Sequence, residues 1–338
     1  MIDYVLVRNK GAIPKSEVEV GDMIYCKKNS REVCWDKVTD ISSISGDYNF
    51  IKPYKLETNS HRTVQIDEYN QVESLKGFVY ASDLSNNERL NKMPKRFNIN
   101  VADIEIDSLY YFIGVLIADG YCTNRDKGNY GDLMQFCISK EWKRIEIMKL
   151  IKEFDLDYYT KDNEFNDGLF IFIKNKKLHD YFYELYNEDG EKHFPTEIWN
   201  DYQAIWSVIQ GLMFDARKHN NFRYTYSSSH HRLVCEFCYA LSMFGIPFKL
   251  YKDKRKTRTG KHNFLIDYGK GYLPRNPYNI IKNNSYSKDR TYTTYSIKTE
   301  NNLGYVCGTG DLVVKSPEKD KLYDKDELNK WFEELESN

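Results

Sequence analysis

Two acids in like settings are the residues of this chain best placed to do chemistry. Asp119 closes the apolar run Phe112-Ile113-Gly114-Val115-Leu116-Ile117-Ala118 and is followed by Gly120. Asp215 follows a second run, Ile209-Gln210-Gly211-Leu212-Met213-Phe214, and the two glycines Gly114 and Gly211 stand 97 residues apart. Carboxylate oxygens brought together can hold a hard divalent cation such as Mg2+, which activates water and stabilises a leaving oxygen. Small residues set up that meeting. Gly114 and Ala118 are four apart on one helical face, and Gly211 serves the second helix, so two backbones can approach at a tight seam. Taken alone, the first run reads more readily as a buried Gly–Ala helix ending in an ordinary Asp-Gly turn; the repeat favours the pair.

The elements that must position these acids recur in order. The first unit has a helix over 107–118, a strand around Leu133–Ser139, a helix from Trp142 to Phe154 and a hairpin around Leu156–Asp162 and Leu169–Asn175. The second has a helix over 201–213, a strand around Phe222–Ser229, a helix from His231 to Gly245 and a hairpin formed by Pro247–Lys254 and His262–Tyr268. Tandem units of this kind predict a single-chain body with internal twofold symmetry, acting as a monomer and suited to a ligand such as duplex DNA. Before Asp107 and after about Lys270 the chain breaks into short strand-like pieces between Gly, Asn, Ser and Asp. The expected fold class is α+β. A β domain is formed by 1–100 with 285–316, a mixed domain by 105–272 (repeats 105–190 and 200–272), and an acidic helix by 317–338.

The first run resembles the dodecapeptide of the LAGLIDADG homing endonucleases, and the run from Ile209 is similar to a degenerate copy of it. Between them Lys192-His193-Phe194-Pro195-Thr196-Glu197-Ile198 resembles the Lys-x-x-Pro block of intein-type members. The resemblance implies a site-specific double-stranded DNA endonuclease with Mg2+ held by Asp119 and Asp215, and a basic residue, Lys192, near the reacting water. It also implies that the second hairpin lies along DNA. The flanking β regions resemble the Hint splicing fold. Val18-Glu19-Val20-Gly21-Asp22 is similar to its first turn, Thr58-Asn59-Ser60-His61 matches its Thr-x-x-His signature, and Tyr295 to Val314 resembles its closing strands. No Cys or Ser stands before Tyr4 as a nucleophile, and Lys315-Ser316 occupies the place of the terminal His-Asn pair. Splicing needs a side-chain nucleophile and a cyclising Asn, so Thr58 and His61 are read as relics.

One departure bears on catalysis. Asp119 is five residues beyond Gly114, but the same step from Gly211 reaches Ala216, and Asp215 sits one residue early. On an α-helix that shift turns a side chain by about 100°. Asp215 is therefore expected to point away from Asp119, with Arg217 beside it supplying charge, and Gly120 is expected to provide a backbone turn that frees Asp119. Three readings follow: a working nuclease in which Asp215 swings into place, a strand-nicking or very slow enzyme, and a DNA-binding protein that no longer cuts.

Composition limits the remaining possibilities. The 49 Lys+Arg and 50 Asp+Glu nearly cancel, yet residues 249–261 carry seven bases and one acid. Lys249, Lys252, Lys254, Arg255, Lys256, Arg258 and Lys261 are the expected phosphate contacts, a solvated hairpin tip being the alternative. The longest apolar run, near 111–118, is too short for a membrane span. Seven scattered cysteines suit a reducing cytosol better than a disulfide framework; the resemblance adds the expectation of a bacterial or phage-encoded protein. Cys235 and Cys238, near His230 and His231, fall on one helix without a second pair and make a poor zinc site. Freshly purified protein is expected to give one intact mass; a fragment ending at or near Ser316 would overturn the reading that splicing chemistry is lost.

Overall fold

Aspartate starts both helices that carry the acids. The Asp107 carboxylate accepts the Leu109 and Tyr110 N–H groups ahead of α1 (Ser108–Asp119), and Asp201 accepts those of Gln203 and Ala204 ahead of α4 (Tyr202–Leu212). Each satisfies donors that a helix start leaves unpaired. The computed structural model describes residues 3–46, 53–67, 70–85, 87–122, 133–163, 167–186, 190–220, 223–256, 262–269, 280–285, 292–309 and 312–316. The expected helix over 317–338, together with Arg258 and Lys261, lies outside them. The chain divides into two units, Met1–Arg8 with Ala12–Arg96 and Leu273–Asn338, and Asn9–Gly11 with Phe97–Tyr272.

The first unit is built of strands and short 3-10 turns. Its strands are β1 (Tyr4–Val7), β2 (Gly11–Pro14), β3 (Met23–Lys27), β4 (Val33–Gly46), β5 (Pro53–Thr58), β6 (Thr63–Asp67), β7 (Gln71–Ser74) and β8 (Gly77–Tyr80). Its core gathers Val5, Ile24, Leu56, Val64, Val72, Ile297, Leu312 and Val314, all nearly inaccessible to water. Thr58 and His61 sit in the β5–β6 turn. The His61 N–H donates to Thr58 O at 2.8 Å, and the buried Thr58 Oγ1 accepts the Arg62 N–H at 3.2 Å. His61 adopts a positive φ of 57° and pairs with Glu57 at 2.6 Å. The threonine thus ties the turn that the strand pair requires.

In the second unit α1 is followed by β9 (Gly120–Cys122), β10 (Leu133–Ile138), α2 (Glu141–Glu153), β11 (Asp157–Asp162), β12 (Leu169–Lys174) and α3 (Lys176–Tyr183). After α4 come β13 (Arg217–Asn220), β14 (Arg223–Ser228), α5 (His231–Met243), β15 (Phe248–Lys256) and β16 (His262–Gly269). The chain returns to the first unit through β17 (Ile280–Ser285), β18 (Tyr292–Thr299), β19 (Gly304–Cys307) and β20 (Leu312–Lys315). Nine strands of that unit share a sheet, ordered β18-β4-β3-β1-β19-β20-β7-β8 with β2 beside β1, and β17-β5-β6 form another. The four-stranded sheets of the second unit share one pattern, β9-β10-β12-β11 and β13-β14-β16-β15.

Their register sets matching rows. Two residues after Asp119, Tyr121 pairs with Gln135, then Phe172, then Tyr159 across the first sheet. Two residues after Asp215, Arg217 pairs with Thr225, then Asp267, then Lys249 across the second.

α1 packs on α4 through the two glycines. A Cβ on Gly114 would fall 2.9 Å from Gly211 Cα, and one on Gly211 only 2.7 Å from Gly114 Cα, with the carbonyls of Val208 and Tyr111 nearer still. The Asp107 N–H donates to Ser207 Oγ at 2.9 Å, a polar tie between the helices. Ala118, one turn beyond Gly114, is half-buried. Because backbone cannot yield as a side-chain tip can, Gly211→Ala is expected to cost about 3 kcal/mol in urea unfolding. Stability equal to wild type would refute the seam.

Candidate active site

Asp119 is the last residue of α1, and β9 begins at the next position. Gly120 does not supply the expected turn. Its φ and ψ of −80° and 157° suit any residue, and glycine is needed because a Cβ would fall 2.6 Å from Leu116 O.

α4 ends differently, and this corrects the expected register. Its regular winding stops at Leu212, one residue past Gly211. The chain then tightens: Phe214 N–H donates to Gly211 O at 3.1 Å, Asp215 N–H to Leu212 O at 3.2 Å, and Ala216 N–H to Met213 O at 3.0 Å. Bonds three residues apart wind at about 120° and rise about 2.0 Å per residue. One α-helical step and three such tightened steps turn about 460° and rise about 7.5 Å, against about 500° and 7.5 Å for five α-helical steps. Tighter winding makes up the height and most of the turn of the missing residue, and the Asp215 carboxylate reaches the same ammonium as that of Asp119.

Both carboxylates meet one ammonium. Lys143, in the first turn of α2, donates from Nζ to Asp215 Oδ1 at 2.7 Å and to Asp119 Oδ2. Its side chain is 7% exposed, against 25% for Asp119 and 38% for Asp215. The Nζ also lies 4.7 Å from the Phe214 ring centre and 5.9 Å from that of Trp142. Burial works against this charge, yet the hydrogen bonds and charges of the two acids win and hold the Lys143 pKa above its ordinary value. Burial, then the charge of Asp119, raise that of Asp215, while Lys143 and Lys140 oppose them. Carboxylates at helix C-termini oppose the helix dipole, and so does a lysine at a helix N-terminus. Each misplaced charge is offset by the other.

Lys192 lies under this group, not in solvent. It is 8% exposed, and its Nζ donates to Ile117 O at 2.8 Å and Gly120 O at 2.6 Å. It therefore caps the carbonyls around Asp119. Burial pulls its pKa down to about 8, against the opposing pull of Asp119 and Asp215. The following segment is fixed to α5: Phe194 N–H donates at 2.6 Å to Glu236, which is fully buried beside Arg232 Nε at 3.3 Å.

Asp215 lines a concavity of about 790 Å³ on the second sheet, together with Arg217, His219, Arg223, Lys252 and Asp267. Asp267 is buried and accepts from Arg223 at 2.6 Å and from Thr225 Oγ1. Of the expected basic strip, Lys252 lines this concavity and Lys249 lies over the Tyr251 ring at 4.5 Å, while Lys254, Arg255 and Lys256 continue β15. Lys143, Arg223 and Asp267 escape motif reading. One signal points to Arg223, the polar residues at every second position from Arg223 to Ser227.

Two carboxylates with open sides suit Mg2+, which keeps waters and takes few protein ligands. Among the described residues no group of three or more His, Cys, Asp or Glu could hold a metal, so the fit rests on this pair.

No family model matches the chain, and no curated protein matches it. Among solved structures, similarity is found to the homing endonuclease I-DmoI in complex with DNA and Mn, at 17% identity over 50% of this chain and 91% of that one, with a TM-score of 0.33. Other I-DmoI structures carry Mg or Ca. The N-terminal LAGLIDADG domain of DUF199/WhiA matches at 9% identity over 49% of this chain and 80% of that one, TM-score 0.34. The homing endonuclease I-WcaI bound to its DNA recognition sequence matches at 15% over 48% and 76%, TM-score 0.32. Likeness this low carries no inference on function, which must come from the side chains.

Lys143→Met leaves two carboxylates without their shared cation. It is expected to destabilise the protein by about 2 kcal/mol, less than a fully buried pair loses because Asp215 is part-exposed. Asp119→Asn in the same chain should restore part of the loss. A cycle without coupling in chemical unfolding would break the assignment.

Proposed function

We propose that this chain is a site-specific double-stranded DNA endonuclease of LAGLIDADG type, hydrolysing phosphodiester bonds with a divalent cation, Mg2+ in the first instance. The observation that carries the reading is the convergence of Asp119 and Asp215, from the ends of two glycine-packed helices, on one ammonium. Two carboxylates close enough to share that nitrogen are close enough to share a cation. The bound ion would activate water and stabilise the leaving oxygen.

The chain's own residues do the rest. Asp119 and Asp215 would hold the cation, and Lys192 fixes the helix end from which Asp119 projects. Arg217, Arg223 and Lys252 receive backbone phosphates, with Lys249, Lys254, Arg255, Lys256, Arg258 and Lys261 extending the contact along the hairpin. The matching strand order of the two sheets supports an internal twofold and a monomer acting across one duplex. The first unit is read as a splicing-inactive Hint-like domain. In support, Thr58 serves a turn, and Ser316 is buried with its Oγ accepting the Ile297 N–H at 2.8 Å.

A second reading, sequence-specific DNA binding without cleavage, is favoured by the Lys143 ammonium between the acids. Cleavage on strand-labelled duplex, selected by binding from a randomised library, separates the two. Asp119→Asn and Asp215→Asn are each expected to lower Mg2+-dependent cutting more than about a hundredfold while sparing binding. Unequal losses would restore the register argument, and a wild type that binds without cutting decides for the second reading. Neutralising Lys252, Lys254 and Lys256 should flatten the salt dependence of binding by about one unit per lost phosphate contact; an unchanged slope removes the hairpin from the interface.

A further inference from the structure

We propose that Lys143 is a tethered counter-ion that competes with the divalent cation for Asp119 and Asp215, so that the site takes up metal only as the Lys143 ammonium is withdrawn. The inference rests on the assignment of the two acids as a metal pair. Lys143 approaches both carboxylates at hydrogen-bonding distance, one oxygen from each, the arrangement a bridging cation would adopt. An ammonium and a divalent ion cannot share so small a space without strong mutual repulsion.

The position of Lys143 is built, not incidental. Its side chain is almost wholly buried although it ends in a charge, with aromatic rings of Phe214 and Trp142 near the ammonium. A mobile surface lysine near two acids would show neither feature. It also stands in the first turn of α2, where a positive charge opposes the helix dipole, and the acids offset that cost. The bidentate contact therefore holds a helix start and a carboxylate pair together at once. Ringed and buried in this way, Lys143 gives up its contacts only to a ligand that rewards it elsewhere. A phosphate oxygen entering beside Asp215 is such a ligand, so uptake of metal and of a phosphate-bearing substrate should reinforce one another.

The experiment is Mn2+ binding to the full chain without DNA, followed by calorimetry and by electron paramagnetic resonance. Lys143→Met and Lys143→Gln are expected to bind Mn2+ at least about tenfold more tightly than wild type, and adding Asp119→Asn should abolish the gain. Wild type binding Mn2+ through Asp119 as tightly as both variants would overturn the competition while leaving the metal pair intact. Absence of Asp119-dependent binding in every protein would overturn the metal assignment, and the inference with it. A measurement on the wild type needs no variant: the 15N ammonium signal of Lys143, protected by the two acids, should be displaced as Mg2+ rises. Its persistence at saturating Mg2+ would overturn the proposal.

Discussion

Two helix backbones can touch only where neither carries a side chain at the crossing, and in the second unit this condition falls on Gly114 and Gly211. The crossing fixes how α1 and α4 end. Their N-termini are set by aspartate caps and tied by Asp107 to Ser207, so the close approach is held at the seam and again nearer the helix starts. Whatever the helix ends carry is then placed by rigid geometry and not by a loop. A helix end is a poor place for a carboxylate, since the carbonyls there already bear partial negative charge. Two such ends side by side demand positive charge, and the fold answers with two buried lysines of different kinds. Lys192 satisfies carbonyls and Lys143 satisfies carboxylates.

Much of this is legible in the residues alone. Apolar spacing at helical period and Gly or Asn punctuation are local signals, and they mark α1, α2, α4 and α5 and the hairpins to within a few residues. The seam glycines announce themselves because the same small residue recurs within two similar runs. The position of Asp215 is not legible, because counting residues along a helix assumes one winding throughout. The tightened turn after Leu212 depends on backbone bonds that the sequence Met213-Phe214-Asp215-Ala216 does not advertise.

Lys143 escapes for another reason. It lies 24 residues from Asp119 and 72 from Asp215, and its role exists only once β10 has carried α2 back over the seam. On an isolated helix it reads as one more exposed lysine. The row from Arg217 to Lys249 is hidden in the same way. Strand alternation tells which residues share a face, whereas register across four strands is a tertiary fact.

That row and its counterpart differ in chemistry although they match in place. Tyr121, Gln135, Phe172 and Tyr159 cross the first sheet, with Tyr159 stacked on Phe172 at 4.7 Å. Arg217, Thr225, Asp267 and Lys249 cross the second. Flat rings favour apolar contact such as a thymine methyl, and charged or hydroxyl groups favour the polar edges of bases and phosphates. Under the proposed reading, a duplex laid across both sheets would be met by two unlike alphabets. Two sheets of matching strand order but unlike side chains would, under that reading, suit a site without a palindrome, read in a single orientation.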